Sequence, residues 1–334
     1  MRKEESIVAE YLPFEKHIYD LKKRLAEAPE APVREALMAE LEREMTATYA
    51  NMTAWQRVQL ARHPLRPRML DYLPLLFEDF LELHGDRALG DDPAMVCGLA
   101  RFQGQTVFVA GQQKGVSTEE KVCRNFGMAH PSGYRKALRM FETAERLGFP
   151  VLTFVDTPAA HPGIEAEQRG QGFAIAQNLL KLSGLRTPIF SVVLSEGGSG
   201  GALGIAVADR VVMLEYAVYM ICPPERCAEI LWRNVEKKDL AAAALKVTAP
   251  DLLELGAIDG MLPEGNRPAH HDTARAANLL ANEIERFLDG VARREWTLER
   301  RQQRFQNIGR WEEEAELALA RPQGPRARRA GGGS

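Results

Sequence analysis

The stretch IFSVVLSEGGSGGALGIAVADR, residues 189–210, decides the fold. Its opening, Ile189–Leu194, is a short, largely apolar run and reads as a buried strand. Gly197, Gly198, Gly200 and Gly201 then surround Ser199, and a short helix is predicted to open near Ala202. Glycines at such a handover let the backbone approach a ligand with no Cβ in the way. The first N–H groups of a helix have no intrahelical acceptor, so they can hold developing negative charge. The run therefore reads either as an oxyanion-binding turn or as a plain tight turn. GxGxxG is absent here, and no Lys-Ser or Lys-Thr follows the glycines, which disfavours a nucleotide-type phosphate cradle. GGSGG does fit GxSxG with Ser199 as a nucleophile, but no His/Asp partner is identifiable from sequence. A hydrolase stays open as the lesser reading.

Outward from this word the chain alternates. Strands are predicted at Ala94–Ala100, Thr106–Ala110, Val151–Val155, Ile189–Leu194, Val211–Leu214 and Val218–Ile221. Helices are predicted at Gly133–Leu147, Ala166–Ser183, Ala202–Ala208 and Pro224–Trp232. Strands interleaved with helices give an α/β class for the domain over 71–265. Residues 1–70 read as a helical extension. One helix is predicted over about 14–27, and a second carries Val33, Leu37, Leu41, Met45 and Tyr49 on one face. A helical segment follows over 266–320, and the basic, Gly/Pro-rich tail 321–334 is predicted to be disordered.

Two further stretches carry candidate chemistry. FVDTPAAHPGIEAEQRGQG, 154–172, is a second strand-to-helix handover, with His161, Pro162 and Gly163 in its loop. In α/β proteins ligands gather at that end of the sheet. AGQQKGVSTEEKVCRNFGMAHPSGYRKALR, 110–139, carries Lys114, Lys121, Arg124, Arg135, Lys136 and Arg139. It reads as a solvated surface or as a basic loop suited to an anionic ligand such as coenzyme A. RHPLRPRML, 62–70, reads likewise as a solvated linker or an anion-binding strap.

The 334 residues carry 43 Lys plus Arg against 46 Asp plus Glu, a net charge of −3, which argues against a general nucleic-acid or membrane binder. The apolar runs are too short to span a bilayer, and the N-terminus lacks the apolar core of a secretory signal, so a cytoplasmic place is expected. Cys97, Cys123, Cys222 and Cys227 form no CxxC pair, and no metal site is expected.

Several longer words occur in one order: ARHPLRPRMLDYL, HGDRALGDDPAMVCGLARF, GQQKG, RNFGMAHPSGYRKALR, FVDTPAAHPG, AEQRGQ, EGGSGGALGIAVADRVVMLEYAVYMICPPERCAEILW and GAIDGMLPE. Across about 55–265 they resemble the carboxyltransferase alpha subunit of multisubunit acetyl-CoA carboxylase. The resemblance implies a crotonase/ClpP-like spiral of ββα units. It also implies transfer of a carboxyl group from carboxybiotin on a carrier protein to acetyl-CoA, giving malonyl-CoA for fatty acid synthesis. The implied partners are a beta subunit, in an α2β2 assembly that keeps any zinc on the beta side, with biotin carboxyl carrier protein and biotin carboxylase. Gly200 and Gly201 would supply N–H donors, on the biotin side of the cleft. Gly197, Gly198, Pro162, Gly163, His161 and Lys114 would contact substrate.

The chain departs from the family words in places. Ala159 stands where the family has glycine, a costly exchange if the backbone there is left-handed. His161 stands for tyrosine, Gln112 for histidine and Arg226 for glycine. These leave a second reading open, a diverged paralogue without turnover or a carboxyltransferase for another acyl-CoA.

Overall fold

A computed structural model describes residues 11–28 and 30–309. Residues 310–320 of the predicted helical segment and the tail 321–334 lie outside the described residues. The first elements are helical: α1 (Lys16–Glu27), α2 (Ala31–Ala50), α3 (Ala54–Ala61) and α4 (Met69–Leu76). Thr53 starts α3 with a reciprocal cap: its hydroxyl accepts the Gln56 N–H, and the Gln56 side chain accepts the Thr53 N–H. On α2, Leu37, Met45 and Tyr49 are buried as their spacing predicts, while Val33 at the start of the stripe is exposed.

One mixed sheet follows, built from β1 (Phe80–Glu82), β2 (Met95–Phe102), β3 (Gln105–Gln112), β4 (Val151–Thr157), β5 (Ile189–Gly198), β6 (Arg210–Leu214), β7 (Val218–Met220) and β8 (Gly260–Leu262). The spatial order is β1-β2-β3-β4-β5-β6-β8. The first three strands pair antiparallel, and β3 through β8 along this path pair parallel. β5 changes neighbour along its length. Residues 190–193 pair with β6, whereas Glu196, Gly197 and Gly198 pair with β7. Every residue of β5 is buried, which is why its sequence is a near-continuous apolar run ending in small residues.

The crossovers are helical. α5 (Thr118–Cys123) and α6 (Pro131–Leu147) link β3 to β4. α6 has Pro131 in its first turn and ends on Gly148 at φ 70, a left-handed position suited to glycine. The helix predicted over 166–183 is two helices, α7 (Ile164–Gln168) and α8 (Gln171–Gly184). Gly170, at φ 81, turns the chain between them. α9 (Ser199–Ala206) joins β5 to β6. α10 (Pro224–Trp232), α11 (Lys238–Leu245), α12 (Ala249–Glu254), α13 (Thr273–Ala292) and α14 (Leu298–Gln306) complete the described chain. The main core lies between the sheet and α6, α8, α9 and α13, centred on Phe108, Phe141, Phe154, Phe190 and Phe287.

The helical arm is bound by buried polar contacts. The Arg66 guanidinium donates to both Glu264 carboxylate oxygens, at 3.0 and 2.8 Å, and to the Leu194 carbonyl on β5. Beside it the fully buried Glu15 carboxylate accepts from the Tyr49 hydroxyl at 2.6 Å and faces His270 Nε2 at 3.1 Å and His63 Nε2 at 3.5 Å. His271 Nε2 is 2.8 Å from the Tyr49 oxygen, and Lys22 Nζ is 2.8 Å from His271 Nδ1. RHPLRPRML is thus no solvated linker: His63, Arg66 and Arg68 are all buried.

Candidate functional site

Two strand-to-helix handovers meet at the carboxyl edge of the parallel strands. β4 and β5 run side by side until Thr157 pairs with Gly197. There the loop 158–160 presses against the glycine run. A Cβ on Gly198 would lie 1.9 Å from the Pro158 carbonyl oxygen, and one on Gly201 would lie 2.4 Å from the Ala160 nitrogen. Only glycine tolerates so close a backbone contact. The 157–159 turn is braced from within: the Thr157 hydroxyl donates to the Ala159 carbonyl at 2.6 Å, and the Ala159 N–H points back at the Thr157 oxygen.

α9 begins earlier than its sequence suggests, at Ser199 rather than Ala202. Ser199 adopts φ 50, and Gly198 precedes the helix with no side-chain cap. The N–H groups of Ser199, Gly200 and Gly201 therefore fall in the first turn, where no intrahelical acceptor exists. Gly200 is the open member: a Cβ there would meet only the Ile175 side chain, at 3.8 Å. The Gly201 carbonyl is pinned from behind by Gln112 Nε2 at 3.0 Å and the Tyr134 hydroxyl at 3.1 Å. Gln112 also accepts the Asp156 N–H, so one buried amide ties β3, β4 and α9 together. Gln112 and Tyr134 have no expected role in the sequence words that contain them. Nothing local in the sequence announces contacts to a carbonyl 89 and 67 positions away.

Under this turn lies a charge network. Lys114 Nζ sits 2.8 Å from Asp156 and 2.6 Å from Glu196, and Arg62 holds the other Glu196 oxygen at 2.7 Å and Glu225 at 2.5 Å. Burial alone would push the Glu196 carboxyl up, but Lys114 and Arg62 outweigh it and hold it below the usual range. At Asp156 burial prevails over Lys114, and its carboxyl moves up. Lys114, expected at a substrate, is thus engaged by two carboxylates. Most of the basic character of 114–139 is likewise spent within the protein: Arg135 binds Asp86, and the buried Lys136 binds Asp91.

His161, Pro162 and Gly163 occupy the outer part of the 157–163 loop. The His161 N–H donates to the Ala129 carbonyl, its Nδ1 lies 2.8 Å from Asn125 Nδ2, and its ring centre is 4.3 Å from that of His130. Burial and the neighbouring His130 move its pKa down. The loop geometry brings Gly198 and Gly201 against residues 158–160, while Gly200 faces the Ile175 side chain and Gly197 packs on the Tyr219 ring. The side chain of His161 turns toward 125–130 instead. Ala159 is not among the residues with positive φ, so the expected left-handed strain is absent. Arg226 is exposed and pairs with Glu229, away from the buried site.

Among the described residues no histidine or carboxylate hydrogen-bonds Ser199, so none of them activates it as a nucleophile. The four cysteines are unpaired thiols. Glu15, His270 and His271 bring ligand atoms within 4.8 Å of one another, the spacing of a cation site. The hydrogen bonds argue otherwise. Lys22 donates to His271 Nδ1, so the His271 ring keeps its proton on the Nε2 that faces Glu15. A ligating histidine carries its proton on the other nitrogen.

The class follows from this architecture and its relatives in space. Transcarboxylase 12S superposes with a TM-score of 0.52 at 21% identity, covering 64% of this chain and 42% of that one. The beta subunit of P. aeruginosa geranyl-CoA carboxylase superposes with 0.51 at 16% identity, covering 69% of this chain and 44% of that one. The fold is thus the crotonase-like α/β fold of carboxyltransferases. The family described as acetyl co-enzyme A carboxylase carboxyltransferase-like matches residues 11–309. The acetyl-coenzyme A carboxylase carboxyl transferase subunit alpha of a Thermus thermophilus strain is 49% identical over 316 residues, covering 90% of this chain and 99% of its own. That of Methylococcus capsulatus is 46% identical over 316 residues, covering 91% and 98%. The chain belongs to the acetyl-CoA carboxylase carboxyltransferase alpha-subunit family.

Proposed function

We propose that this chain is the alpha half of a carboxyltransferase that makes malonyl-CoA from acetyl-CoA, with carboxybiotin on a carrier protein supplying the carboxyl group. The observation that carries the reading is the first turn of α9. It offers backbone N–H groups beside a glycine contact that holds them rigidly. Gly200 and Gly201 stabilise an oxyanion there, and the missing donor in such a site typically costs about 3–4 kcal/mol of barrier. Gln112 and Tyr134 hold the Gly201 peptide in register and touch no substrate themselves. Gly197, Gly198, His161, Pro162, Gly163 and Lys114 shape the surrounding cleft. The chain needs no metal of its own for this task.

A beta subunit completes the cleft, in an α2β2 assembly placed in the cytoplasm, with biotin carboxylase loading the carrier. Exposed apolar side chains support a partner surface: Ile164, Phe173 and Leu180 on α7 and α8, and Ile221, Ile230 and Leu231 around α10. Among the described residues no helix is long and apolar enough to cross a membrane. The diverged-paralogue reading loses one support, because Ala159 is unstrained.

Reconstitution tests the proposal. Malonyl-CoA-dependent carboxylation of a biotin analogue is absent with the purified chain alone and appears when the beta subunit is added. A complex that assembles yet transfers no carboxyl group refutes it.

A further inference from the structure

A cavity of about 270 Å³ opens beside the glycine turn, and Arg68, Lys114, Lys121, Phe126, Pro158 and Glu196 are among its lining residues. Its cations divide into two groups. Lys114 is held by Asp156 and Glu196, Arg62 by Glu196 and Glu225, and Arg66 by Glu264. Arg68 and Lys121 have no such partner among the described residues. Arg68 is only 7% exposed, yet its guanidinium makes a single hydrogen bond, to the Pro64 carbonyl. Its other guanidinium nitrogens are not among the buried polar atoms left without a partner, so they remain reachable from outside the protein. Glu120 feels the field of Arg68 but forms no ion pair with it, and its carboxylate accepts the Val116 N–H.

A nearly buried guanidinium without a carboxylate is costly unless something outside the chain neutralises it. We infer that this cavity binds a phosphate dianion, with Arg68 gripping two oxygens and Lys121 adding a point charge. Two unspent positive charges match a phosphate better than a single carboxylate. The volume falls below the roughly 300–1,000 Å³ of drug-sized ligand sites, so it holds a phosphate or pyrophosphate and leaves an attached nucleoside outside. Phe126, 48% exposed at the rim, offers that nucleoside a flat face. Two sources share this chemistry: the coenzyme A moiety of the substrate and free inorganic phosphate. Assignment to the coenzyme rests on the carboxyltransferase reading; the anion site does not.

The test uses the full chain, then its complex with the beta subunit. Calorimetric titration with inorganic phosphate and with adenosine 3′,5′-bisphosphate gives saturable binding to the parent chain, weakened about tenfold or more by Arg68→Met and severalfold by Lys121→Met. Ligand-free Arg68→Met keeps the parental melting temperature, because it removes an unpaired charge, and loses the rise that either anion gives the parent. In the complex, a higher KM for acetyl-CoA with parental kinetics on acetyl-pantetheine assigns the phosphate to the coenzyme. An unchanged KM alongside lost inorganic-phosphate binding assigns it to the free anion. Parent-like affinity of Arg68→Met for both anions, or no binding by the parent, overturns the inference. An inactive complex would count against the carboxyltransferase reading alone.

Discussion

Gly200 and Gly201 are neighbours in sequence with opposite tolerance for a methyl group. At Gly201 the added carbon would press on the Ala160 nitrogen and the Ala159 carbonyl carbon, both backbone atoms that cannot swing aside. Gly201→Ala is expected to cost about 1–3 kcal/mol of stability through overpacking, and to abolish carboxyl transfer by tilting the first turn of α9. Gly200→Ala meets only a flexible isoleucine and should leave the melting temperature unchanged or slightly raised, since alanine favours a helix over glycine by about 0.5–1 kcal/mol. Thermal melts of the two variants, paired with transfer assays of the complex, check this. Equal behaviour of the pair would contradict the assigned geometry.

At the scale of elements, the strands that read best were the fully buried ones. β4 and β5 are unbroken runs whose composition leaves little choice. β1 and β8 are not legible in the sequence because each is three residues long and only partly buried, so neither shows an alternating pattern. The helix start at Ser199 was hidden because glycines weaken helix propensity, yet here the contacts of Gly198 and Gly201 override it. The glycine word identified the right corner of the sheet. Lys114 was harder, since its two carboxylates lie 42 and 82 positions downstream and no local pattern links them.

The docking of α1 and α2 carries its own pH dependence. Burial, reinforced by Arg66 for His270 and by His270 for His271, takes these histidines from the ordinary 6.5 to about 3 and about 2. Their folded values lie below the unfolded one, so the unfolded chain binds the extra protons. Stability is therefore intact above about pH 6.5 and falls as the pH drops below it, by up to about 1.4 kcal/mol per unit for each histidine. Denaturant titrations at pH 7.5 and 5.5 should show the loss, and His271→Asn should shallow the slope. A flat profile across that interval would exclude the neutral-imidazole arrangement.

For the molecule as a whole, Arg66 is the principal tie between arm and sheet. It joins the loop after α3 to the Leu194 carbonyl on β5 and to Glu264 beyond β8. Arg66→Met strands the Glu264 carboxylate in a buried place and should cost about 3–5 kcal/mol. Arg66→Met with Glu264→Gln should recover part of that loss in equilibrium unfolding. Absence of any recovery would mean that the two groups act independently.

The same tie has a consequence for how the chain is made. Arg66 leaves the ribosome 198 residues before Glu264. At about 5–20 residues per second, that is an interval of roughly 10–40 s in which Arg66 has no carboxylate partner, although Arg62 meets Glu196 sooner, 134 residues on. In the nascent chain α1 and α2 can pack on each other at once, but the apolar face of α3 waits for Val218, Met220 and Ala242, so the early chain is a stretch that calls for a chaperone during synthesis.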